Sequence, residues 1–255
     1  MPTLTQVCQF LDDLFAPLSC HDHSNNGLQV EGRSDVRTIA FAVDACLLSF
    51  QQAAQANADL LVVHHGLSWG HGFQRLTDRN ARRFRQLFAS GLSLYACHLP
   101  LDAHPQYGNN AVLADMLNLQ DRKPFFNYDG LDIGFYGNLP KPLAAEDLAV
   151  FLNEKLRTNT TIVKAPGAPE TPVARLGIVS GGGAEAVDDC AKLGLDALLT
   201  GEIGHQDIHS AWENQVTVLA AGHYATETTG VSALKKLLAE KFSVETVFLD
   251  IPTGF

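Results

Sequence analysis

Apolar residues along this chain fall into short unbroken runs separated by amphipathic stretches. TIAFAVDA (38 to 45), DLLVVHH (59 to 65) and LSLYACH (92 to 98) are β-branched or aromatic runs of strand length. LLSFQQAAQANA and ARRFRQLFASG lie between them with helical spacing, and NNAVLADMLN follows, after an opening helix over 3 to 15. Continuous apolar strands alternating with helices predict a βαβ architecture whose sheet is covered on both faces.

The second half repeats this pattern. VARLGIVSGGG begins 137 positions after VRTIAFAVDA, and DALLTGEIGH begins 137 positions after DLLVVHHGLS. VTVLAAGHYATE then matches the end of SLYACHLPLD, with its histidine 125 positions on, a connection 12 residues shorter. These matches predict an α/β fold with a duplicated, three-layer-like core and a pseudo-twofold repeat. That core is expected over residues 1–124 plus 172–255, as two related halves. GFYGNLP, AAEDLAVFLNEKLR and TTIVKAP predict a small β-α-β insert over 125–171, closed by the Pro- and Gly-rich turn KAPGAPETP.

Composition narrows the function classes. The chain has 255 residues, 46% hydrophobic, with a mean hydropathy of +0.01, as in an ordinary globular protein. No apolar run approaches the length of about 18 residues that a membrane span needs. The start lacks a basic segment and carries Asp12 and Asp13, which argues against a secretory signal. Five cysteines without a C-x-x-C pair argue against a disulfide framework or zinc ribbon and for a reducing, cytoplasmic setting. A net charge of −10 argues against a nucleic-acid grip. The basic stretch RNARRFRQ (79 to 86) reads as the solvated face of a helix, since Phe84, Leu87 and Phe88 share the other face.

The chemistry gathers at strand ends. His64 and His65 close one apolar run, with Gly66 opening a loop, and His98 and His223 follow two others. Each of the latter is followed four residues on by an acid, Asp102 and Glu227. Carboxyl ends of strands line the ligand crevice of open α/β sheets, and imidazole with carboxylate suits Zn, Mn, Fe or Ni. Singly, each group has a plainer reading. A strand-end histidine can be a satisfied core residue, and Asp102 and Glu227 can cap the helices that follow. Asp44 reads as fixing a loop, His21 and His23 as ordinary loop residues, and His71 and His104 as surface groups. The co-occurrence favours a metal site, because buried ionisable groups are costly unless paired or coordinated.

SNNGLQVEG (24 to 32), VVHHGLSW (62 to 69), HLPLDAHPQYGNN (98 to 110), LLTGEIGH (198 to 205) and GHYATE (222 to 227) together resemble the YbgI or Nif-three-like family over essentially the whole chain. Its members are labelled GTP cyclohydrolase I type II homologues and form hexamers with a dinuclear metal centre. The resemblance implies two divalent ions per subunit, of unassigned identity among Zn, Fe, Mn and Ni, held by His64, His65, Asp102, His223 and Glu227. It makes Glu227 the bridging ligand, while His98 is a candidate for the shell behind the ligands or for facing substrate. It further implies a homohexamer and a metal-dependent hydrolase acting on a nucleotide such as GTP. The alternative is a non-catalytic metal-binding regulatory protein forming a ring-shaped hexamer. No P-loop motif is present, and in SGGGAE (180 to 185) the glycines serve either a phosphate or tight packing.

Overall fold

The computed structural model describes residues 1–18, 20–73 and 75–254. In chain order the elements of the first part are α1 (Leu4–Phe15), β1 (Gly27–Val30), β2 (Thr38–Asp44), α2 (Leu47–Gln55), β3 (Leu60–His65), α3 (Asp78–Ser90) and β4 (Ser93–Ala96). Next come α4 (Leu99–Ala103), α5 (Asn109–Met116), β5 (Gln120–Tyr128), β6 (Leu131–Leu143), α6 (Ala145–Leu156) and β7 (Thr161–Val163). The chain closes with β8 (Val173–Val179), α7 (Val187–Lys192), β9 (Ala197–Thr200), α8 (His205–Glu213), β10 (Thr217–Ala220), α9 (His223–Phe242) and β11 (Glu245–Phe248). No helix among the described residues is long and apolar enough to cross a membrane.

Two compact units are formed, one from 1–101 with 230–251, the other from 102–229 with 252–255. The first unit holds a five-stranded sheet in the order β1-β4-β3-β2-β11. Its strands β4, β3, β2 and β11 are parallel, and β1 closes the edge antiparallel to β4. Phe50, Leu61, Val63, Leu87 and Leu94 are among its fully buried core residues. Helix α1 starts from a capping box in which Thr3 Oγ1 accepts from Gln6 N–H and Gln6 Oε1 accepts from Thr3 N–H. It buries Leu4, Val7, Cys8, Leu11 and Phe15, the spacing of one helical face.

The second unit holds a six-stranded sheet in the order β5-β6-β8-β9-β10-β7. Here β8, β9 and β10 are parallel, with antiparallel strands at both flanks. Leu113, Leu148, Leu152, Leu176, Ile178 and Leu199 fill its core. The division therefore differs from the expected core with a 125–171 insert. That segment does have the β-α-β order, as β6, α6 and β7, but hydrogen bonding decides its place. β6 is paired with β8 and β7 with β10, so both are part of the second sheet.

The duplication is visible in atomic detail within each unit. Ile39 pairs with Leu60 in the first sheet, and Leu176 pairs with Ala197 in the second, each partner displaced by 137 positions. Asp59 Oδ2 accepts from the backbone N–H groups of Arg37 and Thr38, at 2.8 and 3.2 Å. Asp196 Oδ2 does the same for Ala174 and Arg175, at 2.8 and 2.7 Å, again 137 positions on. Such acidic brackets satisfy N–H groups at the start of a strand that would otherwise be orphaned.

Candidate metal centre

In the first unit, β3 continues through both histidines and does not break before them. Side chains of adjacent strand residues leave on opposite faces, yet the His64 and His65 ring centroids are only 4.7 Å apart. Each ring is drawn by its own acceptor. His64 Nδ1 lies 3.0 Å from the Cys97 carbonyl oxygen, past the end of β4. His65 Nδ1 lies 2.8 Å from Asp44 Oδ1, at its register partner on β2. Asp44 thus orients a histidine, whereas the sequence suggested only that it fixes a loop.

His98 joins the same group, its centroid 5.0 Å from that of His64 and 5.6 Å from that of His65. One ligand atom from each of these three imidazoles lies within 4.8 Å of the others. His98 Nδ1 is 2.8 Å from Asp22 Oδ1. Asp22 also accepts from Ser24 N–H, Asn26 Nδ2 and Leu99 N–H, and its side chain is 3% exposed. Burial alone would raise its pKa, but these bonds, led by His98, hold it at about 2. Sequence reading passed over Asp22 between the two histidines of CHDH. Its partner is 76 positions away, and a polar loop carries no periodic signal.

In the second unit, His223 opens α9 after β10, with Nδ1 3.1 Å from Glu202 Oε1 and Nε2 3.1 Å from Glu227 Oε1. Glu202 follows β9 at the position of His65 in the other copy, where the sequence repeat sets it without giving it a role. The Glu227 side chain is 5% exposed. The hydrogen bond to Glu227, helped by Glu202 and opposed by burial, raises the His223 pKa to about 9. Glu227 is the fifth residue of α9, one turn inside the helix, so it does not cap it. Asp102 lies within α4 and is buried, and its Oδ1 accepts from Asn109 Nδ2 at 2.8 Å and Ser180 Oγ at 3.1 Å.

Two of the three glycines of 180–185 answer to packing. Gly181, at φ +62°, leaves no room for a Cβ beside Glu227 Oε1, and one on Gly183 would strike Val179. Only three residues of 3-10 helix and the six-residue α7 follow, too short to act as an anion-binding helix end. His104 is buried, not a surface group. Its Nδ1 accepts from Gln106 and Tyr107 N–H, and burial lowers its pKa.

The donor chemistry fits divalent cations. Carboxylate and carbonyl oxygens are acceptors only, so the proton of a neutral His64, His65 or His98 ring sits on Nδ1. The lone pair is then on Nε2, the arrangement by which outer carboxylates and carbonyls prepare histidine ligands. Three imidazoles of the first unit could hold a metal ion, and the second unit carries an imidazole–carboxylate pair of its own, within a duplicated α/β protein. The Duf34/NIF3 (NGG1p interacting factor 3) family model matches residues 2–254, and the chain belongs to that family. It is 46% identical over 249 residues to a protein of Pyrococcus horikoshii named GTP cyclohydrolase 1 type 2 homolog, covering 98% of both chains. A protein of the same name from Deinococcus radiodurans is 44% identical, covering 91% of this chain and 87% of that one. Among solved structures, protein YbgI, described as of unknown function, superposes with a TM-score of 0.91 at 34% identity, covering 99% of this chain and 100% of that one. A Thermus thermophilus protein gives a TM-score of 0.89 at 38% identity, with the same coverages.

Proposed function

We propose that the protein is a metal-dependent hydrolase with two divalent ions per chain, acting on a nucleotide or related small molecule. The ligands are His64, His65, Asp102, His223 and Glu227, with Glu227 bridging, and His98 is a further donor or substrate-facing group. The observation that carries this reading is the fastening of His64, His65, His98 and His223 at Nδ1 by Cys97 O, Asp44, Asp22 and Glu202. Four imidazoles oriented in this way are a poor use of ionisable groups in a core and a suitable preparation for metal.

When bound, a pair of divalent ions acidifies water and clamps attacking and leaving oxygens. The chain's own residues do the rest. Nδ1 acceptors fix the rings, the Glu227 carboxylate offsets positive charge, and Asn109 and Ser180 hold one oxygen of Asp102. The names of the Pyrococcus and Deinococcus relatives support a purine nucleotide such as GTP as substrate. The same reading assigns a homohexamer of closed symmetry in a reducing cytoplasm.

Metal analysis of protein purified without chelators, then a nucleotide-hydrolysis screen with that metal restored, tests this. Two ions per chain with metal-dependent turnover is the expected result. Two ions with no turnover across nucleotides would move the protein to the regulatory class, and absence of bound metal would end the reading altogether.

A further inference from the structure

Beside the histidine cluster stands an indole that neither the fold nor the metal donors account for. Trp69 lies in the connection between β3 and α3 and is 38% exposed. Its ring centroid is 5.1 Å from that of His98 and 6.1 Å from that of His65. The indole N–H is already engaged, donating to the Gly66 carbonyl at 2.8 Å. What remains open to solvent is hydrocarbon and π surface.

The chain holds this ring in place with unusual thoroughness. Trp69 bridges to Ser24, Gly70 N–H donates to His23 O at 2.7 Å, and Asn25 N–H donates to Ser68 O at 3.1 Å. Gln29 Oε1 accepts from both Leu67 and Ser68 N–H, at 2.7 and 3.1 Å, and Asn25 Nδ2 donates to Ser68 Oγ at 2.7 Å. The 38% of Trp69 that stays exposed is apolar ring surface beside the histidines, and a loop tied down around it offers that face to another flat apolar surface.

We propose that Trp69 is the stacking wall for the substrate, and that the substrate therefore carries a planar heteroaromatic ring of nucleobase type. This rests on the metal-hydrolase reading and names the substrate class of that site. A ring stacked on the indole meets it in van der Waals contact and carries its edge toward His98 and His65, whose centroids are about one ring width away. Every nucleobase offers a π face, and such stacking is worth roughly ten- to hundred-fold in affinity. Phosphate offers the indole face nothing to bind, and ribose only the small contact of its C–H groups.

The chain contains two tryptophans, Trp69 and Trp212, which makes the test direct. In Trp212→Phe, the single indole fluorophore is Trp69. Guanosine should quench it saturably, and ribose 5-phosphate should leave it unchanged. Trp69→Leu should bind guanosine at least about ten-fold more weakly by calorimetry, and Trp69→Phe, which keeps a ring, should fall between. Equal guanosine affinity in Trp69→Leu and the parent, with both chains folded by circular dichroism, overturns the proposal. So does quenching by ribose 5-phosphate equal to that by guanosine. Metal content measured on the same samples judges the hydrolase reading separately: loss of quenching with two ions retained defeats the stacking wall alone, and quenching in a chain that binds no metal defeats the metal centre alone.

Discussion

Asp22 and His98, 76 positions apart in the chain, are joined Oδ1 to Nδ1 at 2.8 Å. The contact makes a buried loop carboxylate the support of an imidazole at the candidate centre. Asp22→Asn should lower metal affinity while leaving every proposed ligand in the sequence. It should also change acid stability in a defined window. The folded pKa of about 2 lies below the ordinary 3.8, so the carboxylate stabilises the fold above pH 3.8 and that contribution is lost as pH falls through about 2. In chelator-treated protein the variant should lose roughly 2 kcal/mol at pH 6, and the difference from the parent should shrink to nothing near pH 2. Urea midpoints at the two pH values measure it. Coincident midpoints at pH 6 would refute the support.

Glu227→Gln keeps size and one carbonyl oxygen but removes the charge shared with His223. Metal analysis should find both ions depleted in this variant, whereas His64→Ala should chiefly deplete one. In chelated protein the substitution should also bring the His223 pKa down from about 9 toward the ordinary 6.5, visible by NMR titration. The sign follows from the raised value. Protonated His223 stabilises the parent fully below pH 6.5, and that stabilisation disappears as pH rises through about 9. Full two-metal loading in Glu227→Gln would remove the bridging role.

Gly181→Ala adds one methyl group where Glu227 Oε1 and His223 stand, at a left-handed φ of +62°. Backbone strain and overpacking together should destabilise the fold by about 1–3 kcal/mol and displace the carboxylate. Thermal melts and metal stoichiometry check the two effects separately. Gly182→Ala, whose added carbon meets no atom closer than 3.7 Å, is the matched control and should bind metal as the parent does.

Light scattering at micromolar concentration should give about six times the 27.6 kDa of one chain. A mass near that of one chain contradicts the hexamer.

The parts of the fold that could be read in the sequence are those where one physical requirement acts on consecutive residues. Strands β2 and β3 are buried on both faces along most of their length and therefore write unbroken apolar runs. The duplication was equally open, because Asp59 and Asp196 and the strands after them keep a fixed offset. By contrast β5 is exposed through Gln120–Pro124, so no hydrophobic pattern marks it. Helix α4 is five residues long, and β1 four, too short for a period to declare itself. At the site, strand-end histidines and acids announced themselves by residue type. Their supports did not: Asp22, Cys97 O and Glu202 act through contacts that only the folded chain creates. Even the helix-capping alternative for Glu227 turned on where α9 begins, and it begins at His223, four residues before Glu227.

The fastening of each imidazole at Nδ1 has a thermodynamic consequence. A histidine free to turn about its side-chain bonds must be immobilised when an ion arrives, and that lost rotational entropy weakens the complex. Here Cys97 O, Asp44, Asp22 and Glu202 immobilise the rings when the chain folds. The ordering is completed before any ligand is met. Association with an ion would then carry little further entropy loss from these side chains, and rigid rings would discriminate among cations by size and preferred angle rather than by adapting to whichever comes first.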